Sequence, residues 1–251
     1  MRYFIITGAA RGLGKALVQE LSSKETSFVL IDKRELSSSK EIAQAQGSEV
    51  FNIRFDLAAV EDIPELSERI FSQIDIRKAS SLTLINNAAE VLPLGLVGTH
   101  KNEDLIYEVS TDITQYFLLT NEFTKKTQDL ALEKRILNIS SGAATTTIKG
   151  AATYCAAKAA IEMFTRTMGK EQAKKEFPIL VAATTPGVID TDMQVDLRTP
   201  PKEVFPPRNQ FAALKKMGLL QSPQRTAQKI AKIFEWDKFP NAKVLKYRKD
   251  L

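Results

Sequence analysis

Cysteine is almost absent from this sequence: its 251 residues hold one, Cys155. No disulfide can therefore close within the chain, and no cysteine-based zinc site can be assembled. Such scarcity suits a reducing compartment, and a cytoplasmic location is the expectation. Histidine is as rare. His100 alone is present, in the loop-like Gly98-Thr99-His100-Lys101, where it reads as surface structure, and no metal site is expected. Long apolar runs are missing too. No segment approaches the ~18 apolar residues of a membrane span, and Met1 and Arg2 lead directly into the strand-like Tyr3-Phe4-Ile5-Ile6, with nothing that reads as a cleaved signal. No membrane partner is expected. Charge of one sign is not strongly in excess: 35 Lys and Arg against 30 Asp and Glu give a net charge of +5. The basic residues are scattered and gather only at Lys243, Lys246, Arg248 and Lys249, so a solvated surface is the reading and no nucleic-acid partner is expected.

What is present is the composition of an ordinary globular protein, 43% hydrophobic and 26% charged, without solenoid-length repeats or a low-complexity linker. Short apolar runs alternate with longer segments of helical periodicity, the pattern of repeated βαβ units around a parallel sheet. Strands are predicted at 3–7, 28–32, 50–56, 83–87, 135–140, 180–184 and, more weakly, 243–247. Helices are predicted at 12–22, 61–74, 102–126, 153–174 and 223–235. About seven strands with helices on both faces make a doubly wound α/β sheet, and residues 1–251 are read as a single domain. The alternation breaks at 191–220, a segment rich in proline (Pro200, Pro201, Pro206, Pro207) and charge. It follows a strand end where open α/β sheets bind ligands, so it is expected to be a substrate lid.

After the first strand comes Thr7-Gly8-Ala9-Ala10-Arg11-Gly12-Leu13-Gly14 and then an amphipathic helix. Glycines permit a tight strand-to-helix turn and let the backbone approach a pyrophosphate, whose charge is favoured at a helix N-terminus. Farther on, Asn138-Ile139-Ser140-Ser141-Gly142 ends the fifth strand and Tyr154-Cys155-Ala156-Ala157-Lys158 lies on a helix. Tyr154 and Lys158, at i and i+4, leave the same helix face one turn apart. A cation beside a phenol favours phenolate and would bring it closer to neutral pH.

The TGxxxGxG turn, with Ser141, Tyr154 and Lys158 in that order and separation, resembles the short-chain dehydrogenase/reductase family. The resemblance covers almost the whole chain and implies a Rossmann-type fold. It also implies hydride transfer between a nicotinamide and a carbonyl or alcohol carbon. Tyr154 would give or take the proton on oxygen, Ser141 would hydrogen-bond that oxygen, and Lys158 would lower the tyrosine pKa and hold the nicotinamide ribose. The implied dinucleotide site comprises Gly8, Arg11, Gly12, Leu13 and Gly14, Asp32 and Lys33, Asp56 and Leu57, Asn87 and Ala88, and Pro186, Gly187, Val188 and Thr191, together with Tyr154 and Lys158. Two positions depart from the family pattern: Ala89 stands where glycine is usual, and Asp112 where many members carry the asparagine of a proton-relay tetrad. An ionised aspartate accepts hydrogen bonds from water but donates none.

Several runs, among them Pro186-Gly187-Val188-Ile189-Asp190-Thr191-Asp192-Met193-Gln194, are similar to the branch of that family holding the benzil reductases and sepiapterin reductase. That similarity implies a small-molecule carbonyl substrate, aromatic or vicinal dicarbonyl, and Phe205, Phe211, Leu214 and Met217 of the lid are candidates to wall an apolar pocket. Family members commonly associate through helices flanking the sheet, so a homodimer or homotetramer is expected. Two other readings are an epimerase or dehydratase on the same frame, against which the short C-terminal part argues, and a dinucleotide-binding redox sensor without turnover. For the cofactor the residues pull in opposite directions. Asp32 at the end of the second strand suits the ribose hydroxyls of NAD(H), whereas Arg11, Lys33 and Arg34 suit the 2′-phosphate of NADP(H). The benzil reductases carry a small neutral residue and then arginine at those two positions, so Asp32 is a departure, and NAD(H) is the expected preference with NADP(H) tolerated.

Overall fold

The computed structural model describes residues 1–246 and 250. Seven strands form one parallel sheet: β1 (Arg2–Thr7), β2 (Thr26–Asp32), β3 (Glu49–Arg54), β4 (Ser81–Asn86), β5 (Glu133–Ile139), β6 (Ile179–Thr185) and β7 (Lys243–Lys246), in the order β3-β2-β1-β4-β5-β6-β7. Among the described residues nine α-helices surround it: α1 (Gly12–Leu21), α2 (Ser37–Ala45), α3 (Ile63–Phe71), α4 (Asn102–Val109), α5 (Gln115–Thr127), α6 (Ala152–Gln172), α7 (Asp192–Asp196), α8 (Arg208–Lys216) and α9 (Pro223–Ala231).

The strands read as continuous apolar runs because both faces are covered. In β1, Phe4 and Ile6 face a layer built with Leu13, Leu17, Ile230 and Ile233 from α1, α9 and the turn after α9. Tyr3 and Ile5 face the other layer, with Leu66, Ile70, Leu119, Phe123 and Met168 from α3, α5 and α6. The period-2 alternation thus divides one strand between two cores. Buried amides tie the central strands together on the second side: Asn86 Nδ2 donates to Asn138 Oδ1 at 2.9 Å, and Asn138 Nδ2 donates to Thr165 Oγ1 at 3.0 Å. Chain direction across the sheet reverses between β1 and β4, and ligands bind beyond the carboxyl ends of strands at such a switch point.

Most predicted strand ends shift by one or two residues. Tyr247, predicted in the last strand, and Arg248 and Lys249 of the basic tail lie outside the described residues. Helix α2, Ser-Ser-Ser-Lys-Glu-Ile-Ala-Gln-Ala, was not predicted; it buries only Ser39 and Ala43, too little apolar surface for a visible period. The helix predicted at 102–126 is interrupted at Ser110–Thr114 by a π-helical turn. The proline-rich segment 191–220 carries α7 and α8, and Phe205 within it is completely buried, its ring tilted against that of Phe211 with centroids 5.6 Å apart.

Candidate active site

The turn after β1 depends on its glycines. Gly8 has φ +66°, and a Cβ there would come within 2.9 Å of the Ala88 backbone; at Gly14 it would fall 2.1 Å from the Gly8 carbonyl oxygen. A side chain at either position would push the turn into its neighbours. Arg11 precedes α1 in extended conformation, no side chain caps the helix, and no acid sits in its first turn. The first-turn N–H groups are thus left for an anion. Asn87 fixes the turn from the end of β4: its Nδ2 donates to Thr7 O at 2.9 Å and Gly8 O at 3.1 Å.

Ser141 closes β5 and heads a short 3-10 turn, its Oγ accepting from Ala143 N at 3.2 Å. Tyr154, on α6, lies beside Ser141, which acts to lower its pKa, and its hydroxyl is 3.9 Å from Met193 Sδ of α7. One turn on, Lys158 is 1% exposed and its Nζ has no hydrogen-bond partner. The ammonium instead lies over two rings, 5.4 Å from the Tyr116 centroid and 5.3 Å from that of Tyr154. This arrangement corrects one expectation. The Tyr154 pKa is raised rather than lowered, through burial first and then the Asp112 charge, with Ser141 opposing. The lysine sits over the ring and not at the hydroxyl, and burial also lowers its own pKa.

Behind the trio, the π-helical turn places Asp112 completely buried. Its Oδ1 accepts from Glu90 N at 2.7 Å, and Oδ2 has no partner. Burial pushes its pKa up to about 6 against the opposing pull of Lys158. Glu108, one turn earlier in α4, is 1% exposed; burial and then Asp112 push it up to about 8, with nearby Thr153 acting in the opposite direction.

At the other end, Asp32 is held by two backbone donors, Ala10 N to Oδ2 at 3.0 Å and Arg34 N to Oδ1 at 2.9 Å. The nearby cations each meet a carboxylate. Arg11 pairs with Asp192, Arg34 lies 3.8 Å from Asp32, and Lys33 Nζ is 2.7 Å from Glu90 Oε1. Lys33 also donates to the Tyr107 hydroxyl at 2.8 Å, and that hydroxyl donates to Asp56 at 3.3 Å.

These groups line one cavity of about 890 Å³. Gly8, Arg11, Gly12, Leu13, Asp32, Lys33, Asp56, Leu57, Asn87, Ala88, Ser141, Tyr154, Lys158, Pro186, Gly187, Val188 and Thr191 all border it, as does Ala89. Gly14, Tyr107, Glu108, Asp112 and Tyr116 do not border it; Gly14 packs beneath the turn and Asp112 lies behind Lys158. The anion-ready turn at one end and a buried, unpartnered ammonium beside Tyr154 at the other fit an elongated dinucleotide.

The model of the short chain dehydrogenase family matches residues 2–202. The chain belongs to the short-chain dehydrogenases. It is 35% identical over 246 residues to a benzil reductase ((S)-benzoin forming) of Bacillus cereus, covering 98% of this chain and 99% of that one. It is 28% identical to sepiapterin reductase of Mus musculus, covering 94% and 92%. Among solved structures, a 3-oxoacyl-[acyl-carrier protein] reductase from Brucella melitensis in complex with NAD shares the fold, with a TM-score of 0.81 at 20% identity and coverage of 98% and 95%. This dehydrogenase is accordingly an NAD(P)-dependent oxidoreductase with the seven-stranded parallel fold read from its sequence. Sequence reasoning missed Glu90, Tyr107, Glu108, Tyr116 and Met193, which reach the site through tertiary packing and carry no local motif.

Proposed function

We propose that the chain is a carbonyl reductase that moves hydride between NAD(P)H and a ketone or vicinal dicarbonyl, benzil-like substrate, with Tyr154 as proton donor and acceptor. The observation that carries this reading is the convergence of Ser141, Tyr154 and the unpartnered Lys158 Nζ at one cavity wall. The dinucleotide supplies the hydride, or takes it back in the alcohol direction. Residues of the turn, Gly8 and Arg11 to Leu13, would hold the pyrophosphate. Asp32, Asp56, Leu57, Asn87 and Ala88 would border the adenosine, and Pro186 to Val188 with Thr191 the nicotinamide end. Lys158 Nζ is placed for the ribose hydroxyls.

In reduction the carbonyl carbon takes the hydride and its oxygen takes the proton from Tyr154 OH, while Ser141 Oγ hydrogen-bonds the same oxygen. A tyrosine whose pKa burial raises stays protonated at neutral pH, as a donor must. Val91, Ala143, Ile148, Leu197 and Phe211 supply apolar cavity wall next to Tyr154, which suits an aromatic substrate and agrees with the activity named for the Bacillus cereus relative. Segment 191–220 is read as the lid of a single domain spanning 1–251. Assembly as a homodimer or homotetramer through helices such as α5 and α6 is part of the same reading. Engagement of Arg11, Lys33 and Arg34 by carboxylates supports NAD(H) over NADP(H). Tyr154→Phe tests the mechanism: dinucleotide affinity is retained and turnover of a benzil-like ketone falls by roughly 10²–10⁴-fold. Near-parental kcat in that variant overturns the assignment.

A further inference from the structure

The ion pair that holds Lys33 is formed across the site. In the sheet β1 lies between β2 and β4, and the glycine turn leaves its carboxyl end. Lys33 follows β2, whereas Glu90 lies past the end of β4, so their side chains meet from opposite flanks of that turn, and both border the cavity. The contact is close, 2.7 Å from Nζ to Oε1. Tyr107, from α4, completes the restraint: its hydroxyl accepts from the same Nζ at 2.8 Å and the ammonium lies 5.2 Å from its ring centroid. The side chains are only partly exposed, 33% for Lys33 and 20% for Glu90, so water screens the pair less than a surface ion pair. Glu90 and Tyr107 hold the Lys33 proton tightly against burial, and its pKa is raised.

Arg11 and Arg34 differ from Lys33 in this respect. Both are about two-fifths exposed, and Arg34 meets Asp32, a carboxylate already fixed by two backbone N–H groups. Lys33 is the less exposed cation, held at once by a carboxylate past the end of β4 and by the Tyr107 hydroxyl and ring. Resting on the dinucleotide reading above, we propose that Glu90 is a positioning residue for cofactor choice: its carboxylate draws Lys33 away from the place where a 2′-phosphate would be bound, and so disfavours NADP(H). Position 90 thereby adds a second determinant to Asp32. The carboxylate at Asp32 repels the extra phosphate, and the carboxylate at Glu90 withdraws the lysine that would neutralise it.

The test measures binding directly, by calorimetric titration of NADH and NADPH into the parent chain, Glu90→Gln, Lys33→Ala and the double variant. Glutamine keeps the side-chain size, and the Glu90 backbone N–H that bonds Asp112 is untouched. Glu90→Gln is expected to move the ratio of dissociation constants towards NADPH by about tenfold, and the same shift is expected with adenosine 2′,5′-bisphosphate against AMP as probes of the adenosine end alone. In the Lys33→Ala background the Glu90 substitution is expected to move neither ratio. An unmoved ratio in Glu90→Gln overturns the proposal. So does an equal shift in the Lys33→Ala background, which would assign the effect to the lost negative charge and not to a released lysine. A parent chain that binds neither dinucleotide overturns the reading on which the proposal rests, an outcome distinct from binding with an unmoved ratio.

Discussion

Glu108→Gln is expected to make the protein more resistant to alkali. Glu108 is 1% exposed, its Oε2 has no hydrogen-bond partner, and Asp112 and burial raise its pKa from an ordinary 4.5 to about 8. A folded state that holds a proton more tightly than the unfolded chain is favoured at low pH. The contribution is complete below about pH 4.5 and is lost as pH rises to about 8. At about 1.4 kcal/mol for each pH unit, the full window is worth on the order of 5 kcal/mol. Glutamine keeps the shape and a carbonyl for Thr153 but carries no titrating proton. Urea unfolding followed by circular dichroism, repeated at intervals from about pH 5 to about pH 9, measures the effect as a stability difference between variant and parent. That difference is expected to widen in favour of the variant by roughly 1 kcal/mol per pH unit over the middle of the range and to level off above the folded pKa. The groups facing Glu108 are Thr153 and Tyr154 on α6 and Asp112 on the π-helical turn. Asp112 titrates in both proteins and so largely cancels. Two stability curves that run parallel across the range would refute the burial argument.

Three further substitutions address the frame of the site. Gly14→Ala places a Cβ 2.1 Å from a backbone oxygen, which no side-chain movement can relieve, so dinucleotide binding and thermal stability are expected to fall together, the second read as a lower Tm. Asp112→Asn removes a group that titrates at about 6 and is expected to change the rate modestly and flatten the pH–rate profile near that value without abolishing turnover; a profile identical to the parent's would make Asp112 purely structural. Phe205→Ala empties a completely buried site beside Phe211 and Gly150 at a cost of about 3 kcal/mol. The loosened lid segment is expected to raise KM for an aromatic ketone more than it lowers kcat, and an unchanged KM would detach Phe205 from substrate binding.

The inner sheet was legible because strands such as β1, β2 and β4 are short apolar runs bounded by turn residues and buried on both faces, whereas the edge strands β3 and β7 carry exposed polar positions. The glycine turn and the Ser141, Tyr154 and Lys158 set stood out because each is a local spacing pattern, and the structure brings Gly8, Gly12, Ser141, Tyr154 and Lys158 to one cavity. Other parts have no such local mark. In Asn-Glu-Asp-Leu-Ile-Tyr-Glu-Val the acids Glu103, Asp104 and Glu108 look alike, yet Glu103 and Asp104 are exposed and Glu108 is buried against α6. Glu90, Lys33, Tyr107 and Asp56 come from four separate elements, and their network exists only once the strand order is fixed. Met193 reaches the Tyr154 hydroxyl because the proline-rich segment folds back as α7, which its charge and prolines concealed.

The buried charges behind Tyr154 can be balanced, and the balance bears on Asp112. Asp112 and Glu108 lie close enough to raise each other's cost of ionisation, and burying both as ions would concentrate negative charge in a low-dielectric interior. The two carboxyl pKa values are spread apart, Asp112 at about 6 and Glu108 at about 8. Between about 6 and about 8, therefore, Asp112 is ionised and Glu108 protonated, so the pair buries one negative charge and not two. Below about 6 Asp112 becomes a carboxylic acid, which donates and accepts hydrogen bonds as an asparagine amide does. Above about 8 Glu108 ionises as well and adds a second buried negative charge, which works against folding and also against a phenolate at Tyr154. In the proposed reaction a proton leaving Tyr154 during reduction is thus replaced most readily while Glu108 is still protonated, so the same carboxyl that limits stability in alkali limits the pH range of proton transfer.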